Sequence, residues 1–185
     1  MPNWCENRIK ISGSTEKINK LWEKVESDGL LNTLRPQPDN LFLENLDSEK
    51  RLELDEDGVP NWYDWRIENW GTKWEVNTQD LCVEDNGDGT SDIYGDFDSA
   101  WSPPLEAYIA FNKMNNGCEV EGWYSEFGCD YCGLYNVREG DVYCDSVSAE
   151  LALPEAERSE AFKRIECDIN LYEWYFAMRE ISDEE

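Results

Sequence analysis

The stretch "NRIKISGSTEKINKLWEKVESDG" (residues 7–29) changes its hydrophobic period once, and that change decides the fold. Ile9 and Ile11 point one way while Arg8, Lys10 and Ser12 point the other, which is the two-residue period of a half-buried strand. Beyond Ser14 the apolar residues Ile18, Leu21, Trp22 and Val25 recur at i, i+3, i+4 and i+7, so residues 15–27 form an amphipathic helix. Ser14 fits its N-cap, and Asp28-Gly29 closes it. A strand that feeds directly into a helix is the opening of an α/β or α+β domain.

Working outward, "RPQPDN" breaks regular structure, and "LENLDSEKRLELDEDGVP" suits either a short helix or a solvated acidic loop, so residues 30–61 are expected to be an insertion. A strand is expected from Trp74 to Val83. "EDNGDG" then supplies turn residues before "SDIYGDFD", in which Ile93, Gly95 and Phe97 alternate with Asp92, Tyr94, Asp96 and Asp98, giving a hairpin. "SPPLEAYIAFNKMNNG" reads as a second helix, capped by Ser102, opened by Pro103 and stopped at Asn116-Gly117. "CEVEGWYSEF" follows as a fourth strand with Glu119 and Glu121 on its outer side. The order strand, helix, strand, strand, helix, strand specifies an α+β domain of the ferredoxin-like split βαβ plan, an antiparallel sheet with both helices on one face. This domain covers residues 1–127. Residues 128–185 are a C-terminal extension with turns and then a helix from Pro154, packed on the same domain.

Three stretches, "MPNWCENRIKISGS", "WRIENWGTKW" and "FDSAWSPP", stand in order across this domain, and together they resemble the YubB-type ferredoxin-like proteins carried by phages and plasmids. The resemblance implies a ferredoxin-like domain and a mobile-element origin. It carries no catalytic residues with it.

The chain has 185 residues, with 42 Asp and Glu against 16 Lys and Arg and no histidine. Residues 1–73 hold 15 acids and 10 bases, residues 74–157 hold 19 and 2, and residues 158–185 hold 8 and 4. A field of that sign repels nucleic acid and anionic membranes and steers the protein toward basic surfaces. No apolar run approaches the ~20 residues that span a bilayer, and the N-terminus has no signal-like apolar region, so a cytoplasmic protein is expected. Seven cysteines without a secretion signal read as reduced thiols.

Several motifs invite chemistry. "CDYC" (Cys129–Cys132) has the spacing of half a zinc site, but its completion would require Cys118, Cys144 or a carboxylate, and thiols near a turn explain it more simply. "EDNGDGTSD" places Glu84, Asn86, Asp88, Gly89 and Asp92 near calcium-loop positions, yet Gly95 stands where the bidentate glutamate belongs, which favours a hairpin turn. The aromatic run Trp62, Trp65, Trp70 and Trp74 offers a binding patch. Its simpler reading is core, with Trp70 and Trp74 mostly buried, Gly71 making a tight turn and Asn69 bonding the turn backbone. With no histidine and no phosphate-cradling glycine pattern, no enzyme activity, cofactor or metal site is expected.

What remains is the acidity. On a strand, residues i and i+2 lie on one side about 6.6 Å apart, so Asp92, Asp96 and Asp98, and likewise Glu119 and Glu121, can present rows of carboxylates from one sheet. The expectation is an acidic binding protein that mimics DNA toward a basic host protein, such as a nuclease or defence factor. The alternative is a regulatory or scaffold module that binds a protein or small ligand through the Trp/Tyr patch.

Overall fold

The computed structural model describes residues 3–114, 117–126, 131–138, 141–148, 153–160 and 162–163, the stretch from 138 to 148 by its backbone. Strand β1 (Trp4–Ser14) runs into helix α1 (Thr15–Asp28), as the change of period requires. Ser14 occupies the N-cap position, but its side chain makes no capping bond; the Thr15 amide donates instead to the Gly89 carbonyl at 3.0 Å. Ile18 and Val25 are buried, whereas Leu21 and Trp22 are half-buried against the core.

Helix α2 (Leu30–Leu34) follows at once, and Leu30, Leu31 and Leu34 are all fully buried between α1 and α5 (Leu105–Met114). The expected insertion therefore does not begin at residue 30. The three leucines close the helical layer, and the irregular segment starts after Leu34. Glu75 holds this turn from outside, its carboxylate accepting from the Leu31 and Asn32 amides at 2.7 and 2.9 Å. Two more helices lie in the segment, α3 (Ser48–Asp57), capped by Asp47, and α4 (Trp62–Trp70), capped by Asn61.

The sheet has six strands in the order β2-β3-β1-β4-β5-β6, with every neighbouring pair antiparallel. Strands β2 (Leu81–Asp85), β3 (Thr90–Ala100) and β4 (Glu119–Glu126) combine with β1 in the ferredoxin-like arrangement, the first strand sitting at the centre. Two expectations are corrected. The strand from Trp74 is only Leu81–Asp85, because Glu75 and Val76 turn inward to serve α2. Residues 131–148, expected as turns, form β5 (Tyr131–Arg138) and β6 (Asp141–Ser148), so the sheet runs on past residue 127. The helix expected from Pro154 opens with a short 3₁₀ turn at Glu155–Glu157; Glu160, Phe162 and Lys163 are helical, and the remainder of that expectation lies outside the described residues.

The core lies between the sheet and the helices. Ile9, Ile11, Ile93, Phe97, Val120, Tyr124, Tyr135 and Val137 face Ile18, Val25, Leu30, Tyr108 and Phe111. At Gly122 the packing leaves no space for a side chain, since an added Cβ would lie 1.9 Å from the Arg8 carbonyl oxygen. The Tyr135 hydroxyl donates to that same carbonyl at 2.8 Å.

Candidate functional site

Alternation on β1 buries Cys5, Asn7, Ile9 and Ile11, and sends Glu6, Arg8, Lys10 and Ser12 to the other face. Registration then decides what stands beside them. Across β3 the pairs are Glu6 with Asp98, Arg8 with Asp96 and Ser12 with Asp92; across β4, Arg8 stands beside Trp123, Lys10 beside Glu121 and Ser12 beside Glu119. Glu84 of β2 pairs with Asp92. One face of four strands thus gathers Glu6, Glu84, Asp92, Asp96, Asp98, Glu119 and Glu121 around two cations. Toward β5 the face closes, since Ser125 and Cys132, paired in register, are buried.

The five acids expected there are all on this face, but they are not equivalent. Asp92 was expected to be exposed and is only 8% exposed: Asn86 donates to it at 3.3 Å, and the Lys10 ammonium lies 3.3 Å away. Burial works to raise its carboxyl pKa, yet bonds from Ser12, Asn86 and Lys10 outweigh it and hold the group below the usual range. Alternation assigns Asp92 to this face correctly; the cross-strand lysine draws it in. Asp96 is exposed but engaged, with Arg8 Nε and Nη2 each 2.7 Å from one of its oxygens. Glu121 lies 3.9 Å from Lys10 and accepts from Asn136. Asp98 is exposed, and partial desolvation raises its carboxyl. Glu6, not singled out from the sequence, sits in the densest part: burial first, then Asp98 and Asp96, push its carboxyl up to about 7. The missed signal was its position one strand-repeat before Arg8.

The aromatic run behaves differently from its expectation. "WYDWRIENW" is helix α4, with Asn61 Oδ1 accepting from the Asp64 amide at 2.9 Å. Trp70 is fully buried, its indole N–H donating to the Arg35 carbonyl at 2.8 Å, and Trp65 packs edge-on against it. Trp62 and Trp74 are of intermediate burial, which for Trp74 agrees with the expectation that it is mostly buried though short of Trp70's complete burial. Asn69 donates to the Trp65 carbonyl inside the helix rather than to the turn. Gly71 ends α4 at φ 83, pressed 3.2 Å from the Pro103 carbonyl oxygen by its notional Cβ, a place where only glycine fits without strain. Ser102 was expected to cap α5 but donates to the Gly71 carbonyl, and the Thr72 hydroxyl donates to Ala100.

These bonds tie the three quoted stretches together at one end of the sheet. Trp4 lies 5.9 Å from Trp74, the Trp101 amide donates to Asn3, and Lys73 sits over Trp74 and Trp101 at 4.7 and 5.4 Å. A family profile described as the ferredoxin-like domain in Api92-like protein matches residues 69–166, more than half of the chain.

The chain belongs to the Api92-like family. A relative, the protein YubB of Escherichia coli strain K12, is 34% identical over 89 residues, which is 46% of this chain and 57% of that protein. The crystal structure of protein Api92 from Yersinia pseudotuberculosis superposes with a TM-score of 0.49 at 13% identity, covering 80% of this chain and 98% of that one.

Of the remaining motifs, Cys129 lies outside the described residues, and Cys132 is buried and not in a disulfide. The expected hairpin turn is present. Asp85 accepts from the Gly87 amide, and Asp88 accepts from the Thr90 amide and hydroxyl, so the turn's own backbone uses the carboxylates that would approach a calcium ion. No helix among the described residues is long and apolar enough to cross a membrane.

Proposed function

We propose that this Api92-like protein acts by binding, offering the open face of its sheet as a DNA-like acidic surface to a basic protein. The observation behind the reading is the crowding of Glu6, Glu84, Asp96, Asp98, Glu119 and Glu121 on one face with Arg8 and Lys10 as its cations. Strands about 4.8 Å apart, with same-face residues about 6.6 Å apart, set these carboxylates on a regular lattice, as phosphates are set on a duplex. Arg8 and Lys10 do not cancel the field. They brace Asp96 and Asp92 and divide the face into a lobe around Glu6 and Asp98 and a lobe around Glu119 and Glu121. In this reading the protein is a phage- or plasmid-borne product that works in the host cytoplasm, its partner a basic host nuclease or other nucleic-acid-binding defence protein, and it carries out no catalysis.

The test is competition. A basic partner captured from host lysate is loaded with labelled DNA, which the wild-type protein should displace at low salt and much less at high salt. Asp98, Glu119 and Glu121 are then reversed to lysine together, leaving Asp96 in place because it holds Arg8. The triple variant should lose displacement and its salt dependence. If it folds and displaces DNA as well as wild type does, the acidic face is not the binding surface.

A further inference from the structure

An open groove of about 320 Å³ between α4 and α5 leads nowhere chemically specific; a second, of about 200 Å³, has Arg51 committed to Asp64 at one side and reaches Tyr63 and Lys73 at the other. The acidic hairpin turn is consumed by its own bonds, and Cys82 is a single exposed thiol. The sheet end where the three signature stretches meet is different.

There the Lys73 ammonium lies 4.7 Å from the Trp74 ring centre, 5.4 Å from Trp101 and 5.6 Å from Tyr63, with the Trp4 ring centre 5.9 Å from that of Trp74. In a chain with 42 carboxylates, Lys73 has no acidic partner among the described residues; aromatic faces hold it instead. The rings are not there because the core required them. Trp4 is 50% exposed and Trp101 is 38% exposed. Trp101 is also the one non-glycine among the described residues with a left-handed backbone, at φ 71, a conformation that costs a bulky side chain on the order of 1–3 kcal/mol. The Asn3 carbonyl and the Tyr131 hydroxyl hold that backbone in place. An exposed ring held at a strained position is the mark of a surface shaped for contact.

We infer that Tyr63, Trp74, Trp101 and Trp4 form a box for a partner's lysine or arginine side chain, with Lys73 as the resident cation that the incoming group displaces. The inference rests on the basic-partner reading above and names its anchor. Charge and continuity select the occupant: Trp4 lies one strand-repeat from Glu6, which pairs with Asp98, so a basic segment lying along the acidic face arrives at the box. Indole faces attract cations more strongly as water is excluded, which is how a weakly anchored, highly charged encounter becomes a fixed one. Lys73 occupies the rings until the partner arrives, and among the described residues no ion pair has to be broken for it to leave.

The test uses tetramethylammonium, a cation too large and too weakly hydrated to report on ion pairing, followed by tryptophan fluorescence in about 0.5 M sodium chloride, where the acidic face is screened. Lys73→Met should bind it about tenfold more tightly than wild type, the equivalent of one moderate cation–π contact. Adding Trp101→Leu should abolish the gain. Thermal melts establish that each variant is folded, and Lys73→Gln serves if the methionine variant is not. Folded Lys73 variants that bind no more tightly than wild type, or a gain that survives Trp101→Leu, would overturn the box. The triple charge-reversed variant should bind tetramethylammonium as wild type does, so loss of the acidic-face reading and loss of the box give separate results.

Discussion

Replacing Glu6 by glutamine should stabilise the protein at alkaline pH and leave it nearly unchanged in acid. Glu6 stands beside Asp98 across the β1–β3 ladder, half-buried, with Asp96 next along the strand. Burial and those two carboxylates push its group from 4.5 to about 7. Between these values the folded protein holds a proton that the unfolded chain has released, so the carboxyl opposes folding increasingly as pH rises through the window, and fully above it. Unscreened, that rise corresponds to roughly 3.4 kcal/mol. Half of the group faces water, and screening reduces the figure to about 1–2 kcal/mol. Urea unfolding of wild type and Glu6→Gln at pH 4.5 and pH 8 isolates Glu6 together with its coupling to Asp98 and Asp96, because carboxylates away from it titrate equally in both proteins. The variant should gain about 1–2 kcal/mol more at pH 8 than at pH 4.5, or roughly 2–8 °C in Tm for a chain of this size. Desolvation is the leading cause, so high salt should trim the gain without removing it. No pH-dependent difference, or a larger gain in acid, would refute the idea that Glu6 sits in a concentrated acidic field.

Gly122→Ala should cost more than about 3 kcal/mol, because its methyl group would meet the Arg8 carbonyl and dislodge Tyr135; chemical denaturation measures it. Trp70→Ala removes a fully buried indole and its bond to Arg35, and should lower stability by about 3–5 kcal/mol, whereas Trp22→Ala, half-buried, should cost under about 2 kcal/mol in the same assay. Cys5, whose thiol burial pushes up to about 12, should resist iodoacetamide at pH 8 while exposed Cys82 reacts, which peptide mapping resolves.

Elements with a strong period were legible in the sequence. Strand β1, helix α1, the β2–β3 hairpin and β4 follow from alternation, helical spacing and turn residues, and their order gives the sheet plan. Helix α4 was not legible as a helix because four tryptophans drew the reading toward clusters; its start was written in Asn61 and Asp64, and Trp62, Arg66 and Trp70 stack at i, i+4 and i+8 along one side. Strand β5 does alternate, with Tyr135 and Val137 inward and Leu134 and Asn136 outward, but its glycine and cysteines suggested turns. For the acidic face, strand alternation correctly assigned Asp92, Asp96, Asp98, Glu119 and Glu121 to one side. It was silent on registration, and registration set Arg8 against Asp96 and Glu6 against Asp98, and brought Lys10 within diagonal reach of Asp92.

The strand that both halves of the sheet need is made before either of its partners. β1 ends at Ser14, yet its partners are β3, completed at Ala100, and β4, completed at Glu126. At ribosomal speeds of about 5–20 residues per second, Ile9 and Ile11 wait roughly 4–20 s between emerging and finding a neighbour. During synthesis α1 and α2 can pair locally, but the central strand cannot. Nascent chains cut short before residue 90 would therefore display an apolar ribbon with both edges unpaired, and so make ready clients for chaperones that recognise extended segments. A circular permutant that begins at the β2–β3 turn would make β3 and β4 before β1, so the central strand would emerge to partners already made.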